Sequence, residues 1–301
     1  MGDATHMKPL FRDGPWKDAP KATTFAEREL QVCVTARLVE DERTYWVAAG
    51  GGPMYCVLLA KRLYAANALY VTEDGIVAPE PVLPLDPVMT VIAERPSYRA
   101  LQWTTMNGIG DQCAIGYMDY GILNTLQIDP YGNINSTWVG EYPTKGRRVN
   151  GPGGADTIAA QCRRTILMTD HQKRKFVPNV DFISSAGFLD GSPGARERAG
   201  LPRNTGPWAV VTSWAVFDFE EKSHRMRLRA LAPFVTLEQV LGAMSFEPLV
   251  AETLEILDPP TEAELAIFRA EMDTSGQFSD ASGGWVVQDG DRWTLSPAER
   301  G

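Results

Sequence analysis

The chain has 301 residues, of which 44% are hydrophobic and 22% are charged, as is typical of a soluble globular protein. Its formal net charge of −9 disfavours nucleic acid as the main partner. The sequence contains no run of eighteen apolar residues and no apolar leader, so it predicts neither a membrane span nor a secretory signal. Its four cysteines are scattered without CxxC spacing, which favours a reducing cytoplasm over a disulfide framework or a zinc site.

Three segments are predicted. Residues 1–25 comprise a stretch typical of a cloning vector, including His6-Met7, and an extended arm rich in Pro, Lys and Asp. Residues 26–273 form one α/β domain. Residues 274–301 are rich in Gly, Ser and Asp and are expected to pack locally or onto a partner.

The first elements predict a parallel sheet. Thr24 and Glu27 have the spacing of a capping box that begins a helix. Residues 44–49 and 69–72 are short apolar runs that predict buried strands, and residues 54–64 predict a helix between them. This strand–helix–strand order is a βαβ unit, which implies parallel pairing.

The remaining elements extend this α/β pattern, giving an open, mostly parallel sheet flanked by helices. The predicted strands cover residues 119–128, 165–168, 180–183, 208–219 and 226–231; one helix covers residues 155–164, two more begin at Thr236 and Thr261, and long loops cover residues 79–96 and 184–206.

Glu73 is the first candidate for chemistry, because it follows a predicted strand and precedes Asp74-Gly75. Ligands of open α/β sheets bind at the carboxyl ends of strands, where a carboxylate can act as nucleophile or general base. Taken alone, the pattern fits a simple turn more often than a catalytic residue.

Two glycine turns precede predicted helices. Residues 50–53, with Gly51 and Gly52, can receive an anion at a helix N-terminus, and residues 151–155, with Gly153 and Gly154, can present amides to an oxyanion. The first turn misses the dinucleotide and Walker fingerprints, so it is weak by itself and fits a packing turn as well. The second, as a bare pattern, is more often only a turn.

Two polar segments, the histidines and Cys56 have weaker signals. Residues 127–135 are polar and follow a predicted strand, and Asp129 and Asn133 favour a role in setting the loop. Residues 171–175 form a basic run that is either solvated or meets a phosphate or a partner's acids. With three histidines in all, a histidine metal site or a Ser-His-Asp triad is disfavoured, and Cys56 is interpreted as a core residue.

Together, in this order, the segments resemble the B subunit of family I coenzyme A transferases of the glutaconate and 3-oxoadipate type over residues 26–272. The motifs that carry the resemblance are Gly51-Gly52-Pro53, Glu73-Asp74-Gly75, the Gln-Ile-Asp-x-Tyr-Gly-Asn-x-Asn signature at 127–135, the glycine turn at 151–155 and the His-x-Lys-Arg-x-Phe stretch at 171–176.

The resemblance implies an α/β coenzyme A transferase fold, related to the NagB/RpiA type, and an A subunit that completes the site in a heterotetramer or larger assembly. It implies that Glu73 attacks an acyl-CoA thioester and forms a glutamyl-CoA intermediate, with Gly153 and Gly154 stabilising the oxyanion. The acyl-CoA and a carboxylic acid are the substrates, and no metal is expected.

The resemblance also assigns substrate contacts to Gly51, Gly52, Asn124, Thr125, Gln127 and Asn133. Asn124-Thr125-Leu126 stands where the family has Gly-Gly-Ala, and Ala49 replaces a turn glycine. These departures leave a CoA-thioester hydrolase, decarboxylase or carbon–carbon lyase open as alternatives. A non-catalytic ligand-binding subunit is a further alternative, against which the retained Glu73 motif speaks. An oxidoreductase is disfavoured, since no dinucleotide fingerprint follows the first strand.

Overall fold

The computed structural model describes residues 10–47, 51–85, 97–280 and 284–297. The residues typical of a vector, Ala49 and Gly50 of the first glycine turn, and residues 86–96 of the predicted loop lie outside these ranges. The strands are β1 Thr24–Ala26, β2 Thr44–Val47, β3 Leu69–Thr72, β4 Ile76–Val77, β5 Gln102–Trp103, β6 Tyr120–Asn124, β7 Gln127–Ile128, β8 Ile134–Asn135, β9 Trp138–Glu141, β10 Lys145–Arg148, β11 Arg164–Thr169, β12 Pro207–Thr212, β13 Ala215–Phe219, β14 Met226–Leu231, β15 Leu249–Ile256, β16 Gly284–Asp289 and β17 Arg292–Pro297. The helices are α1 Glu27–Leu38, α2 Gly52–Leu63, α3 Met106–Ala114, α4 Ala155–Gln161, α5 Ala195–Arg198, α6 Leu237–Gly242, α7 Glu262–Ile267, a π-helical turn Phe268–Met272, and α8 Gln277–Asp280.

Ten strands form one mixed sheet in the order β15-β14-β13-β12-β11-β6-β2-β3-β4-β5. Its centre, from β3 through β2, β6 and β11 to β12, is entirely parallel, and antiparallel strands lie at both sides. The predicted βαβ unit and the open, mostly parallel sheet with flanking helices are confirmed.

Both faces of the central sheet are covered, because alternate residues of each strand enter different cores. On β2, Tyr45 and Val47 pack with α1 and α2, whereas Trp46 packs on the opposite face with α3 and α4. Strands buried on both faces are apolar throughout, which explains why short continuous apolar runs identified them in the sequence. The longest described helices, α1 and α2, have 12 residues each, and no helix in the described ranges has the length and apolarity that crossing a membrane requires.

The predicted capping box at Thr24 and Glu27 is wrong. Thr24 lies in β1, and it is Glu29 whose carboxylate accepts a hydrogen bond from the Ala26 amide at 2.8 Å. The capping boxes at Thr236 and Thr261 are confirmed, since each hydroxyl accepts the amide of the third helical residue.

The strand predicted at residues 180–183 is also wrong. The segment is irregular because the Asp181 carboxylate accepts hydrogen bonds from the Gln127 side chain and from the Gly140 amide, both at 2.9 Å. The single strand predicted at 208–219 is two strands, β12 and β13, which pair antiparallel across a tight turn at residues 213–214. The single strand predicted at 119–128 likewise divides into β6 and β7, and the helix predicted at 155–164 ends at Gln161.

The segment after residue 273 packs on the chain itself. β16 pairs antiparallel with β1 and with β17, forming a separate three-stranded sheet beside α1. The structure shows this segment packed locally, and its docking onto a partner stays a prediction.

Candidate active site

The candidate site lies where the parallel strands end. Val47 of β2 is paired with Thr72 of β3 on one side and with Ile122 of β6 on the other, so the carboxyl ends of these strands are adjacent. The chain passes from β2 to β3 and then crosses back to β6, which makes the edge between β2 and β6 the point where strand order reverses. Ligands of open α/β sheets bind at this position.

Glu73 is the first residue beyond β3 and is half-buried. The turn that carries it is fixed by Thr72, whose hydroxyl donates to the Asp74 carboxylate and accepts the Ile76 amide at 3.1 Å. Gly75 closes the turn with a φ of +104°, and its amide donates to the Thr72 carbonyl at 3.2 Å. Asp74 therefore shapes the turn, while Glu73 is directed across the sheet edge.

The carboxylate of Glu73 meets the second glycine turn. The amide of Gly154 donates to Glu73 Oε1 at 2.7 Å, although the two residues are 81 positions apart. Gly153 has a φ of +56°, and a Cβ on it would lie 2.0 Å from Glu73 Oε1. Only glycine permits both this backbone and this approach.

Trp46 forms the floor beneath this contact and was not anticipated from the sequence. Its ring carbon Cζ2 lies 3.5 Å from where a Gly154 Cβ would be, and its side chain is 1% exposed. Glu73 Cγ lies 3.3 Å from the same Gly154 Cβ position, so Trp46 and Glu73 both border Gly154.

The polar signature at 127–135 is linked by hydrogen bonds to the second glycine turn. The Asn135 side chain donates to Gln127 Oε1 and to the Trp138 carbonyl, both at 2.6 Å. The neighbouring Ser136 carbonyl accepts the Gly151 amide at 2.7 Å. These bonds connect the signature directly to the loop that presents Gly153 and Gly154.

Gln127 and Asn133 are engaged by the protein. Asn133 donates to Asp129 and to the Leu189 carbonyl, each at 2.8 Å, and its oxygen accepts the amides of Gly187 and Leu189. Substrate contact by these two residues stays a prediction, and their hydrogen bonds favour a structural role.

Asn124 and Thr125 differ in orientation. Asn124 ends β6 with an exposed side chain at the sheet edge, beside the end of β2. Thr125 is buried, and its hydroxyl donates to the Gln127 carbonyl at 2.6 Å. Of the pair, Asn124 has the side chain that can reach a ligand.

The first glycine turn is partly described. Gly51 has a φ of +63° and precedes α2, and Gly52 is the first residue of that helix. Both glycines lie against Phe278 of α8, a contact that no local sequence pattern indicated.

The basic run at 171–175 is divided between buried and exposed residues, with Lys173 and Arg174 exposed. His171 is buried, with Nε2 2.9 Å from the Val240 carbonyl, and burial lowers the pKa of its imidazole to about 4. Lys175 pairs with Asp170 at 3.0 Å, and Asp170 also pairs with Arg28. His171 is therefore a neutral core residue at pH 7.

No group of His, Cys, Asp and Glu side chains suited to a metal ion occurs within the residues that the structure describes. All four cysteines are buried and free, and burial raises the pKa of the Cys56 thiol far above its usual range. Such a thiol is not a nucleophile at neutral pH.

Comparison with known proteins gives strong similarities in both sequence and structure. A family profile described as Coenzyme A transferase matches residues 115–243. The B subunit of glutaconate CoA-transferase from Acidaminococcus fermentans is 33% identical over 261 residues, covering 85% of this chain and 96% of that protein. The B subunit of 3-oxoadipate CoA-transferase from Pseudomonas knackmussii is 28% identical, covering 82% of this chain and 94% of that protein. The crystal structure of glutaconate coenzyme A-transferase from Acidaminococcus fermentans superimposes with a TM-score of 0.78 at 31% identity, covering 85% of this chain and 98% of that chain.

Proposed function

Because the chain belongs to the coenzyme A transferase family, we propose that it is the B subunit of an acyl-CoA:carboxylate CoA-transferase whose nucleophile is Glu73. The observation that carries the proposal is the hydrogen bond from the Gly154 amide to Glu73 Oε1 at 2.7 Å, at the carboxyl edge of the parallel strands. This hydrogen bond places the Glu73 carboxylate and an oriented backbone donor together at the end of the sheet where ligands of such folds bind.

The proposed reaction begins when Glu73 attacks the thioester carbonyl. The carbon–sulfur bond breaks, and a mixed anhydride and CoA thiolate result. The thiolate then attacks the Glu73 carbonyl carbon, releases the donor acid as its carboxylate and leaves a glutamyl-CoA thioester. An acceptor carboxylate reverses these steps and leaves with CoA. Covalent catalysis thus divides one difficult exchange into easier steps.

The hydrogen bond distinguishes the two oxygens of Glu73. Oε1 accepts the Gly154 amide, so we assign Oε2 as the attacking oxygen. When thiolate or acceptor attacks the Glu73 carbonyl, negative charge develops on Oε1. The Gly154 amide already points at that oxygen, so it stabilises the tetrahedral intermediate without reorganisation.

An A subunit is the proposed partner, and one face of the chain suits it. Residues 101–117, which include β5 and α3, carry large exposed apolar side chains: Leu101 at 78%, Trp103 at 64%, Ile115 at 70% and Tyr117 at 66%. These residues adjoin the turn that carries Glu73, since the Thr104 amide donates to the carbonyl of Gly75 in that turn at 2.8 Å. Docking of the A subunit here buries the exposed apolar surface and encloses the space beside Glu73. The four buried free thiols support a cytoplasmic location for the assembly.

The test uses this chain co-expressed with its A subunit and a panel of acyl-CoAs without acceptor. Borohydride reduces a glutamyl thioester to an alcohol, and hydroxylamine converts it to a hydroxamate; peptide mass spectrometry locates either product. We expect modification at Glu73 only when an acyl-CoA is present. Glu73→Gln should lose the modification and lower exchange by about 10⁴-fold or more. The control Glu80→Gln, which changes an exposed carboxylate paired with exposed Arg99, should retain both.

An acceptor labelled with ¹⁸O in its carboxylate tests the oxygen assignment. One labelled oxygen should remain on Glu73 as Oε2 and appear in the donor acid released in the next turnover. Thioester consumption with oxygen taken from solvent instead, and with Glu73 unmodified, would refute transfer and indicate a CoA-thioester hydrolase.

A further inference from the structure

A cavity lies at the end of the sheet opposite Glu73. Its volume is about 470 Å³, within the range of about 300–1,000 Å³ that small-molecule sites occupy. Tyr120, Arg164 and Pro207, the first residues of β6, β11 and β12, line this cavity, so it opens at the amino ends of these parallel strands. β11 has six residues and spans about 17 Å, which separates the two ends of the sheet. The cavity is therefore distinct from the candidate active site.

Arg164 lies in the cavity wall, where aromatic rings hold its guanidinium. Its Cζ lies 5.3 Å from the ring centroid of Trp208 and 5.9 Å from that of Tyr120. Its Nη1 donates a hydrogen bond to the Tyr120 hydroxyl at 3.1 Å. Because Trp208 and Tyr120 are both buried, these contacts keep the guanidinium in a defined orientation.

The charge of Arg164 has no carboxylate partner among the residues that the structure describes. Burial and the hydrogen bond that Tyr120 donates to Glu40 raise the pKa of Tyr120 to about 12, so the hydroxyl that Arg164 contacts is neutral at pH 7. Within the same described ranges, Nε and Nη2 of Arg164 donate to no other group. Arg164 is only partly buried, so these two donors are available to a planar anion.

The other charged groups around the cavity limit the charge of its ligand. The carboxylates in the lining are Glu40, Asp119, Glu220 and Glu221. Arg43 pairs with Glu40 and Arg163 pairs with Asp119, each at 3.8 Å, so these two arginines already face a carboxylate. Since like charges repel in proportion to their product, a ligand with one negative charge meets less repulsion here than a phosphate with two.

Aromatic side chains supply much of the remaining lining. Phe188 lines the cavity together with Trp208 and is partly buried. The ring of Phe188 stacks on His224, with centroids 4.4 Å apart, which fixes its orientation. Aromatic surfaces of this kind favour a flat ring that stacks on them or meets them edge to face.

We propose that this cavity is a second binding site and that its ligand is a small aromatic carboxylate. The carboxylate accepts hydrogen bonds from Nε and Nη2 of Arg164, and the ring packs on Phe188. This site goes beyond the proposed function, because its occupant is held at the other end of the sheet and does not contact Glu73.

The test applies phenylglyoxal, which modifies accessible arginines, to the A–B complex. Peptide mass spectrometry gives the modification rate of each arginine with benzoate, benzamide or phenyl phosphate present. The three probes share a ring and carry one, no and two negative charges. The dependence of the Arg164 rate on probe concentration gives a Kd for this site alone. Arg203 is exposed beside the cavity without lining it and serves as the internal reference.

At ten times its Kd, benzoate should slow modification of Arg164 by about tenfold and leave Arg203 unchanged. Benzamide and phenyl phosphate should bind this site about tenfold more weakly or worse, since only benzoate combines a charged acceptor with a single charge. These results come from the unaltered complex, so they do not depend on whether any variant folds.

Phe188→Ala tests the aromatic wall and should weaken benzoate protection of Arg164 by about fivefold. Phe182→Ala is the matched control: Phe182 is also partly buried and packs on Tyr142, with ring centroids 5.2 Å apart, but does not line the cavity. It should leave the Kd of benzoate within about twofold.

Four results would each overturn the inference. They are an Arg164 that phenylglyoxal cannot reach without a probe, since protein then covers it; equal protection of Arg164 and Arg203; protection by benzamide or phenyl phosphate as strong as that by benzoate; and a benzoate Kd unchanged by Phe188→Ala. None of these measurements uses exchange activity. Protection of Arg164 without a Glu73 adduct therefore refutes the transferase mechanism and leaves the second site supported.

Discussion

Replacing Gly153 with alanine tests the catalytic geometry most directly. The new Cβ would lie 2.0 Å from Glu73 Oε1, whereas ordinary contact begins near 3.4 Å, so the carboxylate must retreat by about 1.4 Å. The hydrogen bond from the Gly154 amide, now 2.7 Å, is lost at that separation. Misplacing a reacting group by about 1 Å costs about 10²-fold, and losing one oxyanion donor costs about 10²- to 10³-fold.

We therefore expect Gly153→Ala to lower kcat by about 10²- to 10³-fold in the A–B complex. Alanine at a φ of +56° also strains the backbone and should lower the free energy of unfolding by about 1–2 kcal/mol. Steady-state exchange kinetics and urea unfolding measure the two effects separately.

Gly200→Ala is the matched control. Gly200 has a φ of +83°, and no described atom lies within 4 Å of its Cβ position, so alanine adds backbone strain without touching Glu73. It should lose a similar amount of stability, about 1–2 kcal/mol, and keep kcat within about threefold. If Gly153→Ala retains kcat, or if Gly200→Ala loses as much activity, the Gly153–Glu73 contact does not control catalysis.

Three other predictions follow from the fold. Arg37→Met should lower the free energy of unfolding by about 3–5 kcal/mol in denaturant titration, because it leaves the fully buried carboxylate of Glu264 without its ion pair at 2.7 Å; a loss below about 1 kcal/mol would contradict this. Burial lowers the pKa of His171 to about 4, so the unfolded state binds more protons between pH 4 and 6.5. The contribution of neutral, buried His171 to the free energy of unfolding is complete above pH 6.5 and declines by about 3 kcal/mol as the pH falls to 4. Urea unfolding across this pH range should show the decline. His171→Gln should make the free energy of unfolding less dependent on pH. Trp103→Lys should weaken the affinity for the A subunit, measured calorimetrically, by about tenfold or more, whereas Ile256→Lys, equally exposed at 62% on the opposite sheet edge, should not.

Local patterns were enough for the central elements of the fold. The apolar runs at residues 44–49 and 69–72 and the glycine turn before α2 predicted β2, β3 and the helix between them. Strands buried on both faces are apolar throughout, so their own composition identifies them without knowledge of their neighbours. The order of motifs then identified the family, and the resemblance predicts that Glu73 is the nucleophile.

The predictions from local patterns were wrong where contacts between distant segments decide the structure. Thr24 and Glu27 fit a capping box, but β1 pairs with β16 and Glu29 occupies the helix end instead. Residues 180–183 have strand composition, but the hydrogen bonds of Asp181 hold them in an irregular conformation.

Phe278 shows the same limit at the candidate site. Its contact with the glycine turn depends on how α8 docks, and the carboxylate that docks it, Asp273, precedes a stretch with the composition of a loop. The approach of Gly153 to Glu73 also depends on the tertiary structure, and the sequence indicated it only through the resemblance.

The pairing of β1 with β16 has a consequence for the order in which parts of the chain fold. Trp285 is the partner of Ala26, so this small sheet, and the ring of Phe278 that precedes it, can assemble only after about 285 residues have left the ribosome. Loop closure over such a span is slow compared with the local βαβ pairing. The parallel core can thus form before Phe278 reaches Gly51 and Gly52, and we expect this contact to form late in folding.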